Sequence, residues 1–389
     1  MSLSALHRLS GFETADRDQG SFSFGIEEEF FLSNINSGEI SIHTPDQLFE
    51  GAHAATNGRV DREFLQSQVE VATPPLYCFK EARAEMLYIR RVLAAYAKEH
   101  NLAILACGTH PEGNWQNAVQ SEKKRYDHVM DSLQMIGERN LLCGMHVHVE
   151  LPDPTRRVDI MRRILPFLPL LLALSTSSPF WHSRQTGLKG YRLAAYDELP
   201  RTGIPELFGN TAEYETYVES LVNAGVMPDA SHLWWMIRPS VKYPTLELRA
   251  PDSCTRVEDA LAIAALYRSL VHHLFYNKDC NADIDVVDRA LILENKWRAQ
   301  RYGTKTIFVT KDGDEKISNF LDKTLAMICK DAQILGCEEE IEHCRDILAM
   351  GSSADIQLKV YQERLSKGSE KEALHEVIKW IMDTTTKKT

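Results

Sequence analysis

Gly25-Ile26-Glu27-Glu28-Glu29-Phe30-Phe31 sets Glu27 and Glu29 two residues apart in an apolar setting. In a β-strand, side chains two apart share a face, so these two carboxylates point the same way. Three later stretches repeat the design: Gln66-Ser67-Gln68-Val69-Glu70-Val71, Gly144-Met145-His146-Val147-His148-Val149-Glu150 and Thr245-Leu246-Glu247-Leu248-Arg249. The intervening residues are mostly Ile, Val or Leu and suit a packed opposite face; Glu28 falls on that face with no functional role of its own. If the four strands share one sheet, its back is apolar and its front is crowded with carboxylates and imidazoles. Unit charges ~4 Å apart repel by about 4 kcal/mol at an effective dielectric near 20. Such a front must raise the pKa values of its own carboxyls or hold a cation.

The chain has 389 residues, 44% hydrophobic and 25% charged, and a formal net charge of −11. These values describe a globular protein with a sizeable core, and the acidic balance without a Lys/Arg-rich face argues against a nucleic-acid partner. The eight cysteines form no Cys-x-x-Cys pair, which excludes a zinc ribbon or a thioredoxin-like motif and suits free thiols in a reducing compartment. No signal peptide is visible, and the most apolar stretch, 164–174, is interrupted by Pro166 and Pro169 and too short to span a bilayer. The expected location is cytoplasmic, with no membrane partner. A homodimer is the ordinary expectation for a cytosolic protein of this size.

Strands are expected over 22–32, 39–42, 66–72, 102–106, 141–151, 233–237 and 245–250. Helices are expected over 82–100, 154–175 and 257–275, the last capped by Asp252 or Ser253. Residues 112–131 read as a loop with a short helix. The Gly/Pro/Arg/Tyr-rich stretch 177–209 is long for a connector, and such loops commonly carry function. Three regions follow: a weakly ordered segment over 1–20, an α+β domain over 21–304 that holds the four alternating stretches, and a helical region over 305–389 packed upon it.

Each signal has a plain reading: Glu-x-Glu as a solvated edge, His-x-His as a core pair, Glu-Leu-Arg as a same-face ion pair of little value. Their coincidence on four strands favours a cation site. Carboxylate-rich ligands with at most one imidazole suit Mg²⁺ or Mn²⁺ better than Zn²⁺, and Mg²⁺ commonly completes its shell with phosphate oxygens. No Walker-type or dinucleotide-binding glycine loop accompanies them. Phosphoryl transfer also needs cationic side chains. Arg249 shares a face with Glu247, and Arg238 lies nearby. Lys296, Arg298 and Arg301 sit in Glu294-Asn295-Lys296-Trp297-Arg298-Ala299-Gln300-Arg301-Tyr302-Gly303, which reads equally as a solvated helix end. Arg192 and Arg201 lie in the long loop, where either could clamp a substrate carboxylate.

Seven motifs in order, Gly-Ile-Glu-Glu-Glu-Phe, Gln-Val-Glu-Val-Ala-Thr-Pro, Gly-Met-His-Val-His-Val, Ser-Ser-Pro-Phe-Trp, Pro-Arg-Thr-Gly-Ile-Pro, Leu-Glu-Leu-Arg-Ala-Pro-Asp and Glu-Asn-Lys-Trp-Arg-Ala-Gln-Arg-Tyr-Gly, resemble the bacterial carboxylate–amine ligases of glutamate–cysteine ligase type 2. The resemblance runs from about Phe24 to the C-terminal helices. It implies a glutamine-synthetase-like fold, with a curved, mainly antiparallel sheet lining the active site and helices behind. It also implies ATP and Mg²⁺ or Mn²⁺ as cofactors, and amino acids or amines as small-molecule substrates. Glu27, Glu29, Glu70, His146 and Glu247 match metal-binding positions, with Glu63 as a further ligand. His148, and with it Lys296 and Arg298, fall to the nucleotide; Arg249, Arg238 and Arg301 to catalysis; Tyr191, Arg192 and Arg201 to the substrate. The loop 185–192 departs from the family pattern, with Gln185 in place of Asp and Lys189-Gly190 before the Tyr. That departure leaves substrate identity open and motivates a non-catalytic nucleotide- or amino-acid-binding alternative. A cupin-like metalloenzyme is a further rival, disfavoured by the number of carboxylates.

Overall fold

The computed structural model describes residues 22–121, 130 and 133–387. The segment 1–20 and much of 112–131 (122–129 and 131) lie outside the described residues. The alternating stretches do share one sheet. Its strands are β1 (Phe24–Asn34), β2 (Val60–Arg62), β3 (Gln68–Ala72), β4 (Leu102–Leu105), β5 (Met145–Glu150), β6 (Ile237–Pro239) and β7 (Thr245–Leu248). The order is β6-β7-β5-β1-β3-β2, with β4 also paired to β1, and every ladder is antiparallel. The sheet is open, ending at β6 and β2.

The strand period divides this sheet into two environments. Ile26, Phe30, Val69, Val71, Met145, Val147, Val149, Leu246 and Leu248 turn to the back and are buried. Helices Phe79–Glu99 and Val257–Tyr276 supply the side chains they pack against, among them Ala82, Met86, Ile89 and Leu93. The Val257–Tyr276 helix is apolar nearly all round and buried on every face, as a central core helix must be. Its N-cap is Arg256, with no side-chain cap, rather than Asp252 or Ser253. Asp252 is instead fully buried and engaged with Ser177, Ser178 and Arg192.

Other expectations shift for local reasons. The helix expected over 154–175 breaks into Arg157–Ile164 and Leu168–Ser175 around a 3₁₀ turn at Leu165–Phe167, because Pro166 and Pro169 cannot continue it. Residues 39–42 contribute a single bridge, Ser33 to Ile40. The region from 305 opens with a hairpin, Ile307–Thr310 with Gly313–Lys316, before the four helices from Ile317 to Thr385. Those helices share cores with the sheet: Ile341, Cys344 and Ile347 join the Val257–Tyr276 cluster, while Leu374, Val377 and Ile381 pack with Phe31 and Phe180. No described helix is long and apolar enough to cross a membrane.

Glu28 has a structural partner. On the back of β1 its carboxylate takes two hydrogen bonds from Arg90, at 2.5 and 3.0 Å. Arg90 also donates to the carbonyls of Cys254, Thr255 and Thr385, so one buried guanidinium ties β1, the segment after β7 and the last helix together. Removing one partner of a buried pair leaves an uncompensated charge. Glu28→Gln should therefore lose about 3–5 kcal/mol of unfolding free energy. In urea melts the Glu28→Gln/Arg90→Met double variant should recover part of the loss; wild-type behaviour of Glu28→Gln would remove the pair from this role.

Candidate active site

The front of the sheet forms the wall of a cavity of about 600 Å³. Register explains who meets whom: Glu27 lies opposite His146, Glu29 opposite Glu70, and Glu247 opposite both His148 and Arg238. Glu63 joins from the turn between β2 and β3. Three overlapping groups of donors result: Glu27–Glu70–His146, Glu27–His148–Glu247 and Glu29–Glu63–Glu70, the donor atoms within each lying within 4.8 Å of one another. Ligands bound to one Mg²⁺ at ~2.1 Å stand at most about 4.2 Å apart, so small side-chain adjustments would close each group.

Three carboxylates on this wall, Glu27, Glu29 and Glu247, behave differently because their surroundings differ. Burial would raise Glu27, but His146 Nδ1 at 3.3 Å and His148 Nε2 at 3.4 Å hold it well below the ordinary carboxylate range. Glu29 goes the other way. Burial and the like charge of Glu63 push it up to about 8, against a hydrogen bond at 2.5 Å from the Gly144 N–H. Glu247 is buried too, yet Arg249 and Arg238 hold it far below the usual range. Arg249 Nη1 donates to its Oε1 at 2.5 Å, and Arg238 grips it through Nε at 2.8 Å and Nη2 at 3.2 Å. Burial and Arg249 push His146 down to about 4, so it offers a neutral imidazole. His148 resists burial and is raised by Glu27 and then Glu247; its Nδ1 pairs with Thr245 Oγ1 at 2.9 Å.

Several expected residues fall elsewhere. Tyr191, Arg201, Lys296, Arg298 and Arg301 are not among the residues lining the cavity. Lys296 is buried in an ion pair with Asp197. Arg298 donates to the Ile307 carbonyl and Arg301 to that of Gly187. Arg201 binds the His232 carbonyl at 3.1 Å and covers the Trp234 ring, and Tyr191 packs on Trp181. Arg192 does reach the cavity wall, with its Nε engaged by Asp252 and its Nη2 by the carbonyls of Arg249 and Pro251. Arg238 likewise gives its remaining donor nitrogen to the carbonyls of Ser231 and Leu233, so it acts through Glu247. The cavity also gathers Asp61, Tyr196, Trp234, Lys242 and Tyr243, none of them singled out from sequence. Asp61 shares the alternate spacing of Glu63 and could have been found by it; Lys242 and Tyr243 sit in the β6–β7 connection, whose path no residue pattern discloses.

A profile of glutamate–cysteine ligase family 2 matches residues 23–379. The chain belongs to that family. A provisionally named glutamate–cysteine ligase 2 from Bradyrhizobium sp. is 51% identical over 372 residues, covering 96% of this chain and 90% of its own. Among solved structures, glutamate–cysteine ligase of Francisella tularensis in complex with AMP superposes with a TM-score of 0.69 at 13% identity, over 96% of this chain and 90% of that one. The bifunctional glutathione synthetase of Pasteurella multocida gives 0.69 at 14% identity over 93% of this chain; the present chain spans about half (52%) of its length. At those identities the likeness concerns the fold, a mixed arrangement of helices and antiparallel sheet.

The raised Glu29 carboxyl has a signed consequence. Folded and metal-free, it keeps a proton that the unfolded chain loses between its ordinary value of 4.5 and about 8. Its contribution therefore lowers stability as pH rises through that window. Thermal melts in chelator should show the decline, Glu29→Gln should flatten it, and Mn²⁺ should oppose it at the upper end. Equal slopes for wild type and variant would sink the assignment.

Proposed function

We propose that this member of the family is an ATP-dependent carboxylate–amine ligase, joining two amino acids or an amino acid and an amine through an acyl phosphate, with glutamate and cysteine as the default pair. The observation that carries the reading is the convergence of three donor groups, two of carboxylates with an imidazole and one of carboxylates alone, with Arg249 at their edge. The arrangement is also what a glutamine-synthetase-like catalytic fold requires, with ligands projecting from one face of an antiparallel sheet.

The donor set fits divalent cations of the Mg²⁺ or Mn²⁺ kind: oxygen-rich, like-charged, and holding one carboxyl up to about 8 for want of compensation. Glu27, Glu70 and His146 would hold one, Glu27, His148 and Glu247 another, and Glu29, Glu63 and Glu70 a third. Bound there, such ions supply positive charge to phosphate oxygens. The chain's own residues do the rest. Glu247 holds Arg249 against the wall, where its guanidinium can meet charge developing on a transferring phosphoryl group. Arg238 fixes Glu247 from the other side. His146, kept neutral, offers a lone pair without adding charge. In the reaction, a carboxylate oxygen of one substrate bonds to the γ-phosphorus of ATP as the bond to the bridging oxygen breaks and ADP leaves. The amine of the second substrate then bonds to the acyl carbon, phosphate departs, and the nitrogen loses a proton to solvent.

Two observations weigh against the rival readings. No group among the described residues contains both histidines, as a cupin-like two-histidine site would need. The departing loop residues do not line the cavity: Gln185 is exposed and Lys189 pairs with Asp355. Their change therefore bears on how the loop is anchored.

With ATP, Mg²⁺, glutamate and cysteine, followed by a panel of other acids and amines, at least one pair should release ADP and phosphate in equal amounts. Glu27→Gln should cut turnover by at least ~100-fold and Arg238→Met by about 10–100-fold. If no pair exceeds the Glu27→Gln background, the ligase reading fails.

A further inference from the structure

We propose that the short helix Tyr191–Tyr196 is a positioning element for Arg249, with Arg192 holding its backbone and Tyr196 its guanidinium. This rests on the role given to Arg249 above and deepens it.

Arg249 follows directly on the last residue of β7, where the sheet ladder no longer restrains the chain. Its N–H is held by the Met236 carbonyl at 2.8 Å, but the next two residues must turn away towards Asp252. Arg192 takes over at this point. Its Nη2 donates to the carbonyl of Arg249 at 2.9 Å and to that of Pro251 at 2.6 Å. Its Nε donates to Asp252 Oδ1 at 3.2 Å. Asp252 is fixed in turn: Oδ2 accepts from the Ser177 N–H at 3.0 Å and from Ser178 Oγ at 2.7 Å, and Ser178 Oγ accepts from the Arg192 N–H at 3.0 Å. The ring of contacts closes on itself, and Arg192 and Asp252 are both buried.

Gly144 shows how tight the fit is. A Cβ there would lie 2.9 Å from Arg192 Nη2 and 3.0 Å from Cζ, so the guanidinium rests directly on that peptide. The same Gly144 donates its N–H to Glu29. One turn further along the helix, the Tyr196 hydroxyl accepts from Arg249 Nη2 at 3.4 Å. The helix thus touches the arginine at both its backbone and its charged end, and it belongs to the long loop of 177–209 that also lines the cavity through Tyr196 and Leu199. An arginine displaced by ~1 Å from a developing charge can cost about 100-fold in rate. Loosening this helix should therefore lower turnover while sparing the cation ligands.

The test uses Arg192→Lys and the milder Tyr196→Phe, each alone and combined with Arg249→Lys. Turnover and KM for ATP are measured together with Mn²⁺ affinity. Each single variant should lose roughly 10–100-fold in kcat and keep Mn²⁺ affinity within about 3-fold. In the Arg249→Lys background, the same changes should cost less than about 3-fold more, because residues acting through one another are not additive. Fully multiplicative losses, wild-type kcat in both single variants, or Mn²⁺ affinity falling in parallel with kcat would overturn the proposal. A wild-type protein that binds ADP yet turns over no substrate pair would sink the ligase reading instead; the cycle is then read on ADP affinity, where non-additive loss supports positioning and additive loss refutes it.

Discussion

Mutual repulsion among carboxylates on one sheet face is the constraint on which the rest of this structure depends. Glu27, Glu29, Glu63, Glu70 and Glu247 all line one cavity, and nothing in their own chemistry favours that company. They stay together because the opposite faces of the same strands are buried in a continuous apolar core. Burial at the back sets strand register, and register sets which carboxylate meets which histidine or arginine at the front. The electrostatic cost of the site is thus carried by packing several ångströms away.

The same side-chain type consequently serves different ends. Two imidazoles pull Glu27 down, two guanidiniums pull Glu247 down, and Glu29 is pushed up to about 8 by burial and then by the charge of Glu63. Glu28, one residue away on the other face, works in the core with Arg90. Four glutamates within this sheet therefore have four environments, each set by the burial and the charged groups that the fold brings around it.

That distinction marks how far the sequence could be read. The period of two placed Glu27, Glu29, Glu70, His146, His148 and Glu247 on one face, because alternation is a property of single strands and is visible locally. Arginines were less legible. A guanidinium sits on a long stem, and sequence shows neither its direction nor its partner. Arg192 turned to Asp252 and backbone carbonyls, Arg298 to the carbonyl of Ile307 in the hairpin, and Arg301 to that of Gly187. Asp252 looked like a helix cap because it precedes Val257–Tyr276, and only the tertiary fold shows Ser177 and Ser178 claiming it. Tyr196 was invisible for a similar reason: its importance lies in standing one turn from Arg192, beside a strand end some fifty residues later in the chain.

The two-faced strands also govern how such a sequence can drift. Substitution on β1 can be absorbed one side chain at a time. Losing or gaining a single residue between Ile26 and Phe30 cannot, because every group beyond that point would exchange core for cavity and Arg90 would face the wrong neighbour. Changes of length should accumulate in stretches such as the exposed β6–β7 connection, and the four alternating segments should persist at fixed length in any descendant that keeps its chemistry.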